Sequence, residues 1–262
     1  MPLPNKYTTT ILPPPGSQPL TLPTPKTPSP PTNPPFFNDA LAVRLSVFVD
    51  EQNCPPEFEI DDDDARSWQW VLYHPKSESE SASASASASA SESEAGKNVV
   101  PVGVVRLVPP PHASHEGFVA AFAPADADAD TEPAAARDVT AAGYDLDHEP
   151  YIKFGRVAVL STHRGNGLAR QLMETAMGWA EENAGAITAA FEGVCKKERE
   201  KMGLEPAGAR APRWKGLALV HAQVEVEGLY KRLGFVTDEE LGRWVEEGIE
   251  HVGMWKRLDV RN

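Results

Sequence analysis

Apolar positions along this chain fall into runs of two different periods, separated by stretches with no period at all. Met1–Pro35 is mostly Pro, Thr and Ser. Within it only Tyr7–Leu12 has the β-rich character of a short strand, and Pro13–Pro35 predicts an extended, polyproline-like linker. From Phe37 the pattern turns helical. Leu41, Leu45, Phe48 and Val49 recur at helical spacing, with Asn38 or Asp39 as the cap. Trp68–Tyr73 and Val99–Leu107 read as the two strands of a hairpin, with the Ser-Ala-Glu repeat of Ser77–Glu94 in the loop between them. Tyr151–Leu160 is the clearest buried strand. A helix follows from about Gly167 to Asn183, with Leu168, Leu172, Ala176 and Trp179 on one face. Leu217–Ala222 is a second buried strand, Val224–Leu233 a short helix closed by Gly234, Phe235 the start of a strand, and Ile249–Leu258 the last one. Strands and helices alternating in this order predict an α/β (α+β) domain with a mixed sheet flanked by helices.

Composition changes that picture in one respect. The 262 residues include 25 Pro, clustered where no regular structure can form. One medium-sized domain with additions therefore fits better than one large domain. The expected organisation is a largely disordered arm over 1–35 and a domain over 36–262, with insertions at about 75–98, 109–150 and 192–215. The formal net charge of -13 excludes binding of nucleic acid through a general basic field. It favours cationic partners, or simply keeps the protein in solution, and the run Asp61–Asp64 carries the same two readings. The 2 Cys, Cys54 and Cys195, make no disulfide framework, which points to the cytoplasm or the nucleus. No apolar run is long enough to span a membrane, and no secretory or transit signal is expected. His112 and His115 sit beside a Pro run with no Cys or carboxylate partner, so no metal site is expected. Trp68, Trp70 and Trp255 occupy strand positions and read as core, and Cys54, beside Pro55 and Pro56, as packing.

The segment Val157-Ala-Val-Leu-Ser-Thr-His-Arg164-Gly-Asn-Gly167-Leu-Ala169 carries the candidate chemistry. A strand runs into a Gly-containing turn, and the turn opens a helix. Unpaired N–H groups and the helix dipole make such a turn a seat for a pyrophosphate. Gly165 and Gly167 let phosphates approach the backbone, and Arg164 and Arg170 add positive charge to an acidic protein. The turn lacks the Gly-Lys-Ser/Thr ending of a nucleotide-binding P-loop. Arg170 stands where a dinucleotide-binding fingerprint would want its third Gly.

With the turn, Arg164, Gly167 and Ala169 after a Val-Ala-Val strand resemble the acetyl-CoA motif of GNAT N-acetyltransferases. Tyr230-Lys-Arg-Leu-Gly234-Phe235 resembles the same family's Tyr-x-x-x-Gly-Phe signature. Val47–Pro55, followed by the acids at Asp61–Asp64, and the tail Glu246–Met254 are similar to the ElaA-like branch. The resemblance implies an acetyltransferase whose thioester lies in a splayed gap between the strands Tyr151–Leu160 and Leu217–Ala222. It assigns the pantetheine arm to backbone groups of Val157, Ala158 and Val159. The pyrophosphate falls to Arg164, Gly165, Asn166, Gly167, Leu168, Ala169 and Arg170. Tyr230 is the acid for the leaving thiolate, and Glu51 and His251 are the candidates for the base. Acetyl-CoA is the implied cosubstrate, with no metal. An amine is the implied acceptor, small and cationic in one reading, a protein amine in another. A homodimer is compatible with the family. A CoA-binding scaffold without catalysis is the alternative from another class.

Overall fold

The computed structural model describes residues 6–75, 98–122, 143–145, 148–201 and 212–261. The Ser-Ala-Glu repeat, most of the Ala-Asp-Pro stretch before Tyr144 and the Pro-Gly stretch before Pro212 lie outside these residues. In chain order the elements are β1 (Thr8–Leu12), α1 (Pro35–Arg44) continued by a π-helical segment (Leu45–Glu51), β2 (Trp68–Pro75), β3 (Val99–Val108), α2 (His115–Phe122), β4 (Ile152–Val159), α3 (Leu168–Glu182), α4 (Ala184–Lys201), β5 (Leu217–Gln223), α5 (Glu227–Arg232), β6 (Val236–Thr237), β7 (Arg243–Glu246) and β8 (Ile249–Arg257). They group into two compact units, Met1–Leu107 with Arg156–Ala176, and Val108–Gly155 with Met177–Asn262. The α/β class expected from the sequence is the one found.

In the first unit β1, β2 and β3 form an antiparallel meander, with Thr8 opposite Tyr73 and Trp68 opposite Leu107. Beyond it lies the Arg156–Val159 half of β4, where the Leu160 amide donates to the Val102 carbonyl at 2.9 Å. Ala40, Val43 and Val47 recur at helical spacing, and Val71 and Tyr73 share one face of β2. Together with Val104 and Ala158 these make a solvent-excluded core. Gly103 is what lets α3 lie close. A Cβ there would stand 3.0 Å from Leu172 Cδ1 and 3.3 Å from the Ala158 carbonyl oxygen.

Several local expectations are corrected in this unit. The cap of α1 is Pro34, without a side-chain hydrogen bond, because Pro35 at the first helical position needs no N–H partner. Asn38 instead accepts from the Asn33 side chain, and Asp39 accepts from the Tyr73 hydroxyl at 2.8 Å. The Pro-rich stretch is folded back rather than extended. Asn33 exchanges two 2.7 Å hydrogen bonds with the Thr21 backbone, and the Gly16 amide donates to the Ala65 carbonyl.

Nor are Asp61 and Asp64 a solvated acidic surface. Asp64 is fully buried and takes Arg44 at 2.7 Å and Arg106 at 3.2 Å. Asp61 takes Arg106 at 2.7 Å, with Arg156 at 3.6 Å. Glu59 pairs with Arg44 at 3.0 Å, and the Arg44 guanidinium also donates to the Glu59 carbonyl. Burial pushes the Asp61 carboxyl up, but Arg106 and Arg156 outweigh it and hold the group well below the usual carboxylate range.

In the second unit the sheet is mixed. β4 pairs in parallel with β5 over Ile152–Phe154, and β5 pairs antiparallel with β8 along its whole length. β6 and β7 both pair with β8. Gly216 has φ +95°, and a Cβ there would run into the Leu258 carbonyl oxygen, so Gly is required at the entry to β5. Two stretches expected as insertions contain helix. Glu192–Lys201 is the second half of α4, because Ile187, Thr188 and Phe191 give that helix a buried face. His115–Phe122 forms α2. Strand β7 had not been expected, and it is turned onto β8 by Glu247 and Gly248, both at positive φ.

Candidate active site

The turn between β4 and α3 belongs wholly to the first unit. Leu160 leaves the strand, Ser161–His163 makes one tight turn, and the Gln171 amide donates to the Gly167 carbonyl at 3.0 Å as α3 begins. Gly165 and Gly167 stand at φ +81° and +74°, a region that side chains other than Gly rarely adopt. A Cβ at either would meet no protein atom within 4 Å, so both face open space. Asn166 ties the turn with a 3.0 Å bond from its amide to the His163 carbonyl. The Leu168 side chain is buried and anchors the first turn of the helix, whose leading N–H groups have no intrahelical acceptor. Gly-rich turn, open face and helix start together form an anion cradle.

Upstream, Ala158 and Val159 are buried, and Arg156 stands at φ +49° within the strand. A left-handed residue there bends β4 just before Val157. The Arg156 side chain, donating to the Phe58 carbonyl at 2.8 Å beside the buried charges, fastens that bend.

Both cations of the turn are paired. Arg164 donates from Nε to the Val159 carbonyl at 2.9 Å and from an end nitrogen to Glu51 at 2.6 Å. Glu51 is delivered there by the π-helical segment, whose wider turn rotates the last residues away from the α-helical track. The Glu51 carboxylate is thus engaged in bracing the turn. Arg170 lies along its own helix on Glu174 at 2.8 Å. The positive potential of the cradle therefore comes mainly from backbone N–H groups.

The second unit holds the other candidates. Tyr230, on α5, is buried edge-on against Phe235, with ring centroids 5.9 Å apart. Its hydroxyl makes no hydrogen bond among the described residues, and burial raises its pKa, so the phenol keeps its proton. His251, on β8, shares a hydrogen bond of 2.9 Å between Nδ1 and the Ile249 carbonyl, and its ring stacks on Trp244. Sequence reasoning missed a neighbour on β5. His221 lies 4.8 Å from the Trp244 ring and 4.6 Å from Phe118, centroid to centroid, with Nδ1 4.0 Å from Glu246 Oε2. Burial, Lys153 and the other histidines hold His221 well below the usual histidine range, which keeps the imidazole neutral.

Residues 127–237 match the family model described as the acetyltransferase (GNAT) domain. Over those residues the chain is similar to the GNAT acetyltransferases. The matched domain is one of acetyl transfer.

Among solved structures, an acyl-CoA N-acyltransferase from Pseudomonas aeruginosa is 19% identical, with a TM-score of 0.45 over 95% of this chain and 99% of that one. Escherichia coli ElaA is 17% identical, with a TM-score of 0.40 over 84% of this chain and 89% of that one. The NatC complex bound to Gag peptide and CoA is 12% identical, with a TM-score of 0.40 over 97% and 99%. At such values none of these likenesses speaks for a substrate.

Within the GNAT frame, the residues named from the sequence divide between the units. Val157, Ala158, Val159, Arg164, Gly165, Asn166, Gly167, Leu168, Ala169, Arg170 and Glu51 lie in the first, and Tyr230 and His251 in the second. Cys54 is buried, and neither cysteine is in a disulfide. No helix among the described residues is long and apolar enough to cross a membrane.

Proposed function

We propose that the protein transfers the acetyl group of acetyl-CoA to a primary amine by direct attack, with a small amine as the favoured acceptor. The observation that carries this reading is the turn Arg164–Leu168: two glycines at positive φ, open on one face, at the start of a helix. Such a turn suits a pyrophosphate and rejects a side chain in its place. Acetyl-CoA supplies an activated thioester carbonyl and a thiolate leaving group.

The chain's own groups are assigned as follows. Amides of Gly165 to Arg170 hold the pyrophosphate. Backbone groups of Val157 to Val159 line the pantetheine arm. Tyr230 donates its proton to the thiolate, and burial keeps the phenol protonated until then. Glu51 acts through Arg164, keeping the turn in place, rather than as the base. The test is release of free thiol from acetyl-CoA across a panel of primary amines. Amine-dependent release that Gly167→Glu eliminates supports the reading. A folded protein that binds CoA yet transfers to no amine contradicts it.

A further inference from the structure

One cluster in the second unit is not explained by the cofactor turn. His115 and Phe118 from α2, His221 from β5 and Trp244 from β7 bring four rings together, with centroid distances of 4.6 to 6.4 Å. His251 stacks on Trp244 at 6.2 Å. Two polar atoms in this cluster are buried without a hydrogen-bond partner among the described residues: Trp244 Nε1, a donor, and Glu246 Oε2, an acceptor. A buried polar atom left unmet is destabilising, and folded proteins keep few of them. Trp244 and Glu246 are two apart on β7, so both stand on one face of the strand, about 7 Å apart along it. Solvent reaches the cluster at His221 and Glu246, whose side chains are 12% and 16% exposed.

The unmet pair is complementary to one chemistry. Glu246 Oε2 wants a donor, the indole N–H wants an acceptor, and the surrounding rings favour a cationic head. Lys153, above the Phe118 ring at 4.5 Å and felt by His221, adds a positive charge and favours an occupant with an electron-rich atom beside its cation. We propose that this cluster seats the acceptor as a primary ammonium with an oxygen a few bonds away, and that His221 takes its proton. This deepens the transferase reading and rests on it.

The step balances. The ammonium gives one proton to the neutral imidazole, which passes it to water. The freed nitrogen lone pair forms the C–N bond at the thioester carbonyl, and the C–S bond breaks with its electrons on sulfur. A second nitrogen proton ends on the thiolate. Glu246 orients His221, and the 4.0 Å separation must close for a hydrogen bond to form. The charged and titratable groups facing His221 are Lys153, Glu246, His251, His115 and His112.

The test follows the indole N–H resonance of Trp244, assigned with Trp244→Phe, in the full chain saturated with CoA. Ethanolamine hydrochloride should give a saturable shift at about tenfold lower concentration than ethylamine hydrochloride. Glu246→Gln should raise the ethanolamine midpoint by about tenfold or more while CoA binding by calorimetry stays unchanged. No saturable shift, or the same midpoint in Glu246→Gln, overturns the seat. For the base, acetyl transfer to ethanolamine by His221→Gln should rise about tenfold per pH unit towards the amine's own pKa, where the wild type is flatter. Parallel pH profiles overturn that role. Absence of CoA binding by the wild type would contradict the cofactor reading instead, and the amine titration can then be run without CoA.

Discussion

Two polar clusters, one in each unit, were built by opposite rules. In the first unit Arg44, Glu59, Asp64 and Arg106 are charged and buried, Asp61 and Arg156 stand half-buried at their edge, and every one of the six has an ion-pair partner. Its unmet atoms are two guanidinium Nε atoms and the Oε1 of Gln69, whose amide donates to Asp64. In the second unit His221, Trp244 and Glu246 carry less charge and leave a donor and an acceptor unmet. A network of paired charges holds a shape, and here it fixes the bend of β4 through Arg156. The contrast also explains how one acidic chain uses its carboxylates: Asp61 and Asp64 are consumed by structure, whereas Glu246 keeps an oxygen in reserve.

The largest effect should come from breaking the cluster of paired charges. Arg44→Ala leaves Asp64 and Glu59 buried with less compensation and should cost about 3–5 kcal/mol in chemical denaturation. A loss under about 1 kcal/mol would show that the network is not structural.

The pH dependence has a defined sign. The Asp61 pKa is lowered in the folded state, so its contribution is complete above the ordinary carboxylate range and is lost as pH falls through the lower folded value. Thermal stability should hold through mildly acid pH and fall only in strong acid. Arg106→Met should remove much of that acid limb, a difference readable by calorimetry from neutral pH downward.

Next in size is Tyr230, the proposed acid. Tyr230→Phe should slow acetyl transfer by about 10²-fold with CoA affinity little changed, as expected for loss of a general acid. An unchanged rate would leave Tyr230 a packing residue. The smallest effect is the most telling for the comparison. Glu246→Gln removes no hydrogen bond from its Oε2 atom, so stability should move by less than about 1 kcal/mol. A loss as large as that of Arg44→Ala would make the two clusters alike.

The sequence disclosed much of this and withheld the rest for physical reasons. Strand β4, helix α3 and the turn between them were legible, because a buried apolar run followed by Gly-x-Gly and an amphipathic stripe has few other solutions. Glu51 and Arg164 were each noticed, but their pairing was not, since it joins residues 113 apart through a π-helical turn that no period reveals. Asp61–Asp64 looked like a solvated run because burial depends on partners as distant as Arg106 and Arg156. His221 was hidden inside a strand that reads as plain core. The signal that could have exposed β7 was Glu247-Gly248 between Trp244-Val-Glu246 and Ile249: a two-residue turn pair flanked by alternating side chains.

The account stands most directly on the turn after β4, and calorimetric titration of acetyl-CoA into the full chain and into Gly167→Glu tests it. The account predicts micromolar binding by the wild type and none detectable by the variant, whose added side chain is strained at φ +74° and sets a carboxylate where the pyrophosphate belongs. Equal binding by both proteins would contradict the placement of the cofactor, and no binding by a folded wild type would contradict the proposed reaction itself.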